Sequence, residues 1–185
     1  MIIFLNGPPR VGKDTVGKEL VDQLDFADTY KISATLKRMT HGLYELDANR
    51  NDHDRFEDCK DEPLSIFRGL TPRQAYINVS ELLIKPVHGD DALGRWLYED
   101  HISYFGKGED GVITDSGFRA EAIPIVEAVG ANNCALVRLH RQGCSFKGDS
   151  RGYISLSDLG VLQFDVDNNG PAVETARTIL TQLNR

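Results

Sequence analysis

Apolar and polar positions alternate in blocks along this chain. Ile2-Ile3-Phe4-Leu5 is a short continuous apolar run, the pattern of a strand buried on both faces of a parallel sheet. Val16, Leu20, Val21 and Leu24 then recur at helical spacing, with Lys18, Glu19, Asp22 and Gln23 on the opposite side. Residues 28–32 can form a second strand, and Ser33 reads as the cap of a helix carrying Leu36, Met39 and Leu43. Thr71-Pro72-Arg73-Gln74 reads as another helix start, leading into Ala75, Val79, Leu82 and Leu83. A further helix is predicted over about 91–104, with Leu93, Trp96, Leu97 and Ile102. The strand Val112-Ile113-Thr114 ends at Asp115, followed by a helix over 120–129 and a buried strand over 133–139. A last strand at 162–166, a tight turn at 167–170 and a closing helix over 172–183 complete the series.

Strands alternating with helices predict an α/β fold, a three-layer sandwich in which about five parallel strands are flanked by helices, and the Gly7-x-x-x-x-Gly12-Lys13 spacing between the first strand and helix makes the expected sandwich one of the P-loop NTPase type. Strand order is not readable from the pattern. Two stretches interrupt it. Residues 45–68 are polar, with Asp47, Asp52, Asp54, Glu57, Asp58, Asp61 and Glu62 among arginines and Lys60, which suits either a solvated helical insertion or a mobile flap. Residues 141–157 begin as an irregular stretch rich in Gly, Ser and charge, the character of an active-site lid.

At 185 residues and 41% apolar content the chain is expected to form one domain, 1–185, with an acceptor-binding helical region at about 33–105. A net charge of −7 argues against coating nucleic acid, which needs clustered Lys and Arg, but leaves individual nucleotides as ligands. Cys59, Cys134 and Cys144 show no CxxC pair and no zinc spacing, so they read as reduced thiols. The first apolar run has no basic region ahead of it and is too short to span a membrane. The expectation is a cytoplasmic protein with no membrane or nucleic-acid partner; monomer and homodimer stay equally open.

The chemistry is concentrated in Gly7-Pro-Pro-Arg10-Val11-Gly12-Lys13-Asp14-Thr15, a phosphate-binding loop between strand and helix. Such a turn aims backbone N–H groups at one point, and the lysine adds a cation at the β- and γ-phosphates. Asp14 stands where Ser or Thr usually ligates Mg²⁺, and a carboxylate is itself a hard oxygen ligand, acting directly or through water. Thr15 is then free to take the hydroxyl contact to phosphate. ATP is the expected phosphoryl donor. Arg10 in the loop, with Arg141 and Arg151 in the lid, are candidates to stabilise the transferring charge; the plainer reading of the lid arginines is that they are solvated or paired with Asp149. Asp115, at the carboxyl end of a buried strand, suits support of a metal ligand or contact with an acceptor nucleotide, against a helix-capping role for the segment after it. Lys37 and Arg73 lie near helix N-termini as candidate acceptor-phosphate contacts. Trp96 is either a base-stacking residue or core. Glu81, Arg95 and His101 line a pocket or face water.

These segments together resemble the deoxynucleoside monophosphate kinases of tailed bacteriophages, within the nucleoside monophosphate kinase group. The resemblance is carried by the G-x-x-x-x-G-K-D-T loop, Lys37 in Ser-Ala-Thr-Leu-Lys, and Leu-Thr-Pro-Arg-Gln at 70–74. It continues with Thr-Asp-Ser-Gly-Phe-Arg-Ala-Glu-Ala at 114–122, Asp-Ser-Arg at 149–151 and Asn-Asn-Gly at 168–170. It implies transfer of the ATP γ-phosphate to a deoxynucleoside 5′-monophosphate, in the host cytoplasm if the chain is phage-encoded. It also implies Arg10 and Arg73 near phosphates, Asp115 and Trp96 near the acceptor base, and Asn168, Asn169 and Gly170 beside the donor adenine. The chain departs from the family where an arginine often follows the aspartate: Gly117 stands there, and Arg119 comes two residues later. Kinases resembling those for dephospho-coenzyme A or phosphomevalonate, and a regulatory P-loop ATPase, are the rival readings.

Overall fold

The computed structural model describes residues 1–46, 53–106 and 109–185. Asp47 and Asp52 of the acidic run lie outside them.

β1 (Ile2–Asn6) is buried along its whole length. Because side chains alternate across a strand, Ile2 and Phe4 enter one core and Ile3 and Leu5 the other. The chain continues through α1 (Lys13–Val21), β2 (Ala27–Tyr30), α2 (Ser33–Leu43), α3 (Pro72–Val79), α4 (Lys85–His88) and α5 (Ala92–Asp100). After these come β3 (Asp110–Ile113), α6 (Arg119–Val129), β4 (Cys134–His140), β5 (Leu162–Asp167) and α7 (Ala172–Gln182). The five strands are all parallel, in the order β2-β3-β1-β4-β5. Val16 and Leu20 of α1 and Ala176, Ile179 and Leu180 of α7 cover one face with Val112, Ala135 and Val137. Leu93 and Leu97 of α5 and Ala122 and Ile125 of α6 cover the other, joined by Leu36 of α2 and Val79 of α3. This is the expected three-layer α/β sandwich.

The sheet order reverses at β1, which lies between β3 and β4. In open α/β sheets the crevice at the carboxyl end of such a strand is where ligands bind, and residues 7–12 leave β1 at that point.

Several local expectations need correction. Ser33 does not cap α2: Ile32 holds the N-cap position and no side chain of the helix's own start bonds there. Leu36 is buried, whereas Met39 and Leu43 are exposed, so the helix buries a narrower stripe than the periodicity implies. Thr71 does cap α3, in a complete capping box with Gln74, but α3 opens after Val79 into a π turn at Ser80–Ile84 that leaves Leu82 and Leu83 exposed. Pro86, which has no N–H to give to the carbonyl of Leu82, follows that wider turn. The helix expected over 91–104 ends at Asp100, and a 3₁₀ turn at Ile102–Tyr104 succeeds it. The polar stretch from 53 onward is neither a helix nor wholly solvated: it is built of turns pinned by Phe56 and Phe67, which pack with Ala75 in a small core of their own. Among the described residues no helix is long and apolar enough to cross a membrane.

Candidate functional site

The loop after β1 ends at Gly12, whose φ of 98° lies in the left-handed region. Gly12 is also the N-cap of α1, and no side chain caps it, which leaves the first-turn N–H groups directed into the loop. Lys13 Nζ donates to the carbonyl oxygens of Gly7 and Pro8 at 2.8 and 3.0 Å, so the ammonium is folded across the loop's mouth. Burial, reinforced by the Arg151 guanidinium, pushes its pKa down to about 8. Arg10 is exposed at the tip with φ 65°, while Val11 is fully buried.

Asn168 braces this loop from β5. Its Nδ2 donates to Val11 O at 2.7 Å, and its Oδ1 accepts from Thr175 Oγ1 at 2.7 Å. With both polar atoms engaged and 2% of its surface accessible, Asn168 is a strut of the loop. Asn169 and Gly170 are exposed beside it, and Asn169 Oδ1 accepts from the backbone N–H of Gln142, tying down the start of the 141–157 stretch. Arg141, exposed, brings Nη1 to about 3.8 Å from the point a β-carbon on Gly12 would occupy, so the structure brings this lid arginine to the loop.

Asp14 is exposed at the start of α1, with Thr15 beside it. Its Oδ1 accepts from Thr114 Oγ1 at 2.7 Å and lies 3.5 Å from Lys31 Nζ. Among the described residues no group of three or more His, Cys, Asp or Glu side chains is placed to hold a metal. One oriented carboxylate fits Mg²⁺ of the kind that arrives with a triphosphate, since that ion keeps most of its ligands as water and phosphate oxygen.

Asp115 has a different partner from those its sequence position suggests. Its Oδ1 accepts from Ile32 N at 2.8 Å and Oδ2 from Ser33 N at 2.9 Å, so it supplies the N-terminal cap of α2 from the end of β3.

Lys37 and Arg73 of the helical region, and Lys31 just before it, are held by acids. Lys37 Nζ bonds Asp54 at 2.6 Å and Glu57 at 3.2 Å, and Lys31 Nζ bonds Asp54 at 2.6 Å. Burial alone would raise the Asp54 carboxyl, but the two lysines outweigh it and bring it down to about 2. Arg73 makes a bidentate pair with Asp61, at 2.6 and 3.2 Å. Arg151 makes another with Asp149, at 2.8 and 2.6 Å, and that bonding holds the Asp149 carboxyl down at about 2. The pairing of a lid arginine with Asp149, one alternative in the sequence, is thus present for Arg151. Its stem runs beside Gly117, where a β-carbon would lie 2.5 Å from Arg151 Cδ. The glycine that departs from the family pattern is therefore the space this arginine fills. Trp96 packs half-buried against the core with its ring edge-on to His88, 5.2 Å between centroids.

Sequence reasoning passed over four contributors. Lys31 and Thr114 flank Asp14; neither belongs to the loop, and chain pairing of strands places them there. Asp54 was visible only as one acid in a run. Asn6, fully buried, donates from Nδ2 to Ser116 O and Gly152 O and accepts from Ile154 N, clamping residues 152–154 to the sheet. A polar residue closing an apolar strand was its one signal.

Fold and loop together define an α/β phosphate-binding domain of the P-loop type. No family model matches the chain, and no curated protein matches it. Solved structures with a similar fold include a gluconokinase from Sinorhizobium meliloti 1021, 16% identical over 99% of this chain and 91% of that one, TM-score 0.47. An unliganded sugar kinase from Janibacter sp. HTCC2649 is 12% identical over 99% and 94%, TM-score 0.47, and TT1252 from Thermus thermophilus is 16% identical over 99% and 97%, TM-score 0.44. At these values the likenesses carry no argument about activity or substrate, which must come from the site.

Proposed function

We propose that the chain is an ATP-dependent phosphotransferase that moves the γ-phosphate onto a nucleoside 5′-monophosphate, deoxyribose forms included. The observation that carries this is the Gly7–Thr15 loop with Lys13 folded across it, together with Lys37, Arg73 and Arg151, each held by a carboxylate. A bidentate arginine–carboxylate pair has the fork geometry that also fits a phosphate ester, so an acceptor phosphate can exchange for Asp61 or Asp149 on the same guanidinium.

In this reading the loop N–H groups, Lys13 and Arg141 hold the triphosphate, with Arg10 at the rim. Asn168 keeps the loop in shape, and Asn169 and Gly170 border the adenine. Asp14, oriented by Thr114, would hold Mg²⁺, whose chemistry is to neutralise charge on the β- and γ-phosphate oxygens. Arg73 and Lys37 draw the acceptor phosphate in line. One of its oxygens bonds to the γ-phosphorus as the bond to the β–γ bridging oxygen breaks, and ADP leaves. Arg151 moves from Asp149 to the transferring group as the lid closes, excluding water that would otherwise hydrolyse ATP.

The test is ADP release with ATP and Mg²⁺ alone, and with each of the four dNMPs, their ribose counterparts and dephospho-coenzyme A added. A dNMP is expected to accelerate ADP formation. Acceleration by none of them, or by dephospho-coenzyme A alone, removes the proposal.

A further inference from the structure

Two ammonium groups converge on one carboxylate where the sheet meets the helical region. Lys31 Nζ lies 2.6 Å from Asp54 Oδ2 and Lys37 Nζ 2.6 Å from Asp54 Oδ1, so each oxygen has its own lysine, and His53 Nε2 lies 3.6 Å from Oδ2. The lysine side chains are 22% and 11% accessible and that of Asp54 38%, which makes the acid the most accessible of the three. The same Lys31 nitrogen is 3.5 Å from Asp14 Oδ1, so the two carboxylates are separated by no more than the sum of those two contacts. An anion seated between the lysines is therefore a neighbour of Asp14 at the phosphate loop.

The lysines stand on fixed supports and the acid does not. Lys31 directly follows β2 at the carboxyl edge of the sheet; its carbonyl accepts from Ala34 N at 3.1 Å, and the next two N–H groups are held by Asp115. Lys37 lies within α2. Asp54 belongs to the turns at 53–62, which are anchored by Phe56, buried against the rings of His41 and Phe67. Rotation about its own side-chain bonds takes the carboxylate off the lysines without disturbing Phe56. Neither lysine is then stranded, since Lys37 keeps Glu57 at 3.2 Å and Lys31 keeps Asp14. Two ammonium groups on the two oxygens of one acid also suit two oxygens of a phosphate monoester, whose larger charge makes stronger charge-assisted bonds.

We propose that Lys31 joins Lys37 in forming the seat of the acceptor's 5′-phosphate, and that Asp54 is a built-in competitor for that seat, displaced when the phosphate binds. The inference rests on the nucleotide-acceptor reading and adds to it a second lysine and a cost. Acceptor affinity is lowered in proportion to the fraction of molecules whose lysines are free of Asp54. An acid that holds them in about nine molecules of ten lowers it about tenfold. The sign of the effect separates a competitor from a strut: removing a competitor tightens acceptor binding, whereas removing a strut loosens it.

The experiment measures calorimetric binding of deoxyribose 5-phosphate, which carries the phosphate without a base, with ADP in excess to fill the loop, alongside KM for the four dNMPs. The proteins are wild type, Asp54→Ala, Asp54→Asn, Asp58→Ala, Lys31→Met and the Asp54→Ala, Lys31→Met double variant. Asp54→Ala is expected to bind the probe roughly fivefold more tightly or better and to lower dNMP KM in proportion. Asp54→Asn, which keeps the shape of the side chain and drops its charge, is expected to move in the same direction. Asp58→Ala, which removes the same charge four positions on, is expected to change either quantity by less than about twofold. Lys31→Met is expected to weaken probe binding roughly tenfold and to cancel most of the gain in the double variant. Weaker or unchanged probe binding in both Asp54 variants, an equal gain in Asp58→Ala, or wild-type affinity in Lys31→Met overturns the inference. Wild type forming no diphosphate from any dNMP, with the Asp54→Ala gain intact, removes the nucleotide-acceptor reading and leaves the phosphate seat. Turnover of dNMPs with no such gain removes the seat alone.

Discussion

Lys13 shows how much one residue's surroundings change what its type implies. As a motif letter it is a cation; folded over Gly7 and Pro8 and partly buried, it holds its proton only up to about pH 8, against an ordinary 10.5. Between those values the unfolded chain binds a proton that the folded one has released, so this group makes stability rise with pH across that window. A triphosphate reverses the shift, because the added negative charge favours the ammonium. ATP binding at pH 8.5 is therefore expected to take up on the order of half a proton, seen as a dependence of calorimetric binding enthalpy on the buffer's ionisation enthalpy. Lys13→Ala should remove that dependence, and equal enthalpies in all buffers for wild type would contradict it. The turn at 7–15 was legible as a strand–loop–helix junction because its pattern is local in sequence. Asp115 was legible as the end of a strand but its bonding was not, since its partners Ile32 and Ser33 lie more than eighty positions away and no periodicity encodes that distance.

At the scale of elements, α2 depends on a cap from another strand. Replacing Asp115 by Ala leaves the N–H groups of Ile32 and Ser33 without acceptors, and a loss of about 1–2 kcal/mol is expected in chemical denaturation. Thr71→Ala, which breaks a cap local to its helix, should cost a similar amount without altering the catalytic side, and the pair separates capping from catalysis through acceptor KM. The lid gives a sharper case. Gly117→Val places atoms where the Arg151 stem runs, 2.5 Å from a β-carbon, so the arginine is displaced while the core is untouched. The expected outcome is a fall in kcat of at least roughly a hundredfold with little change in melting temperature, the cost of losing a preorganised charge. Wild-type kcat in this variant would remove Arg151 from the mechanism. α7, whose apolar stripe is local, was read from sequence nearly to the residue, as was the capped start of α3. The π turn at Ser80–Ile84 and the turns around Phe56 and Phe67 were not, because each is a compromise set by tertiary packing.

For the whole molecule, the layered fold was readable because each buried strand contains a short apolar run and the flanking helices carry apolar stripes. The order of strands, and hence the crevice at β1, was not, because pairing is decided between segments far apart in the chain. Lys37, Arg73 and Arg151 are held by acids at 54–61 and 149. The proposed function takes these cations and the Lys13 loop as two anion sites, and it requires that phosphate pass from one to the other. The direct measurement is to follow ATP labelled at the γ-phosphate with each dNMP in turn and to separate the products. The label is expected in the corresponding dNDP, in equal amount to the ADP formed, and to be absent with Lys13→Ala. Label released as inorganic phosphate at the same rate with and without dNMP would contradict the account.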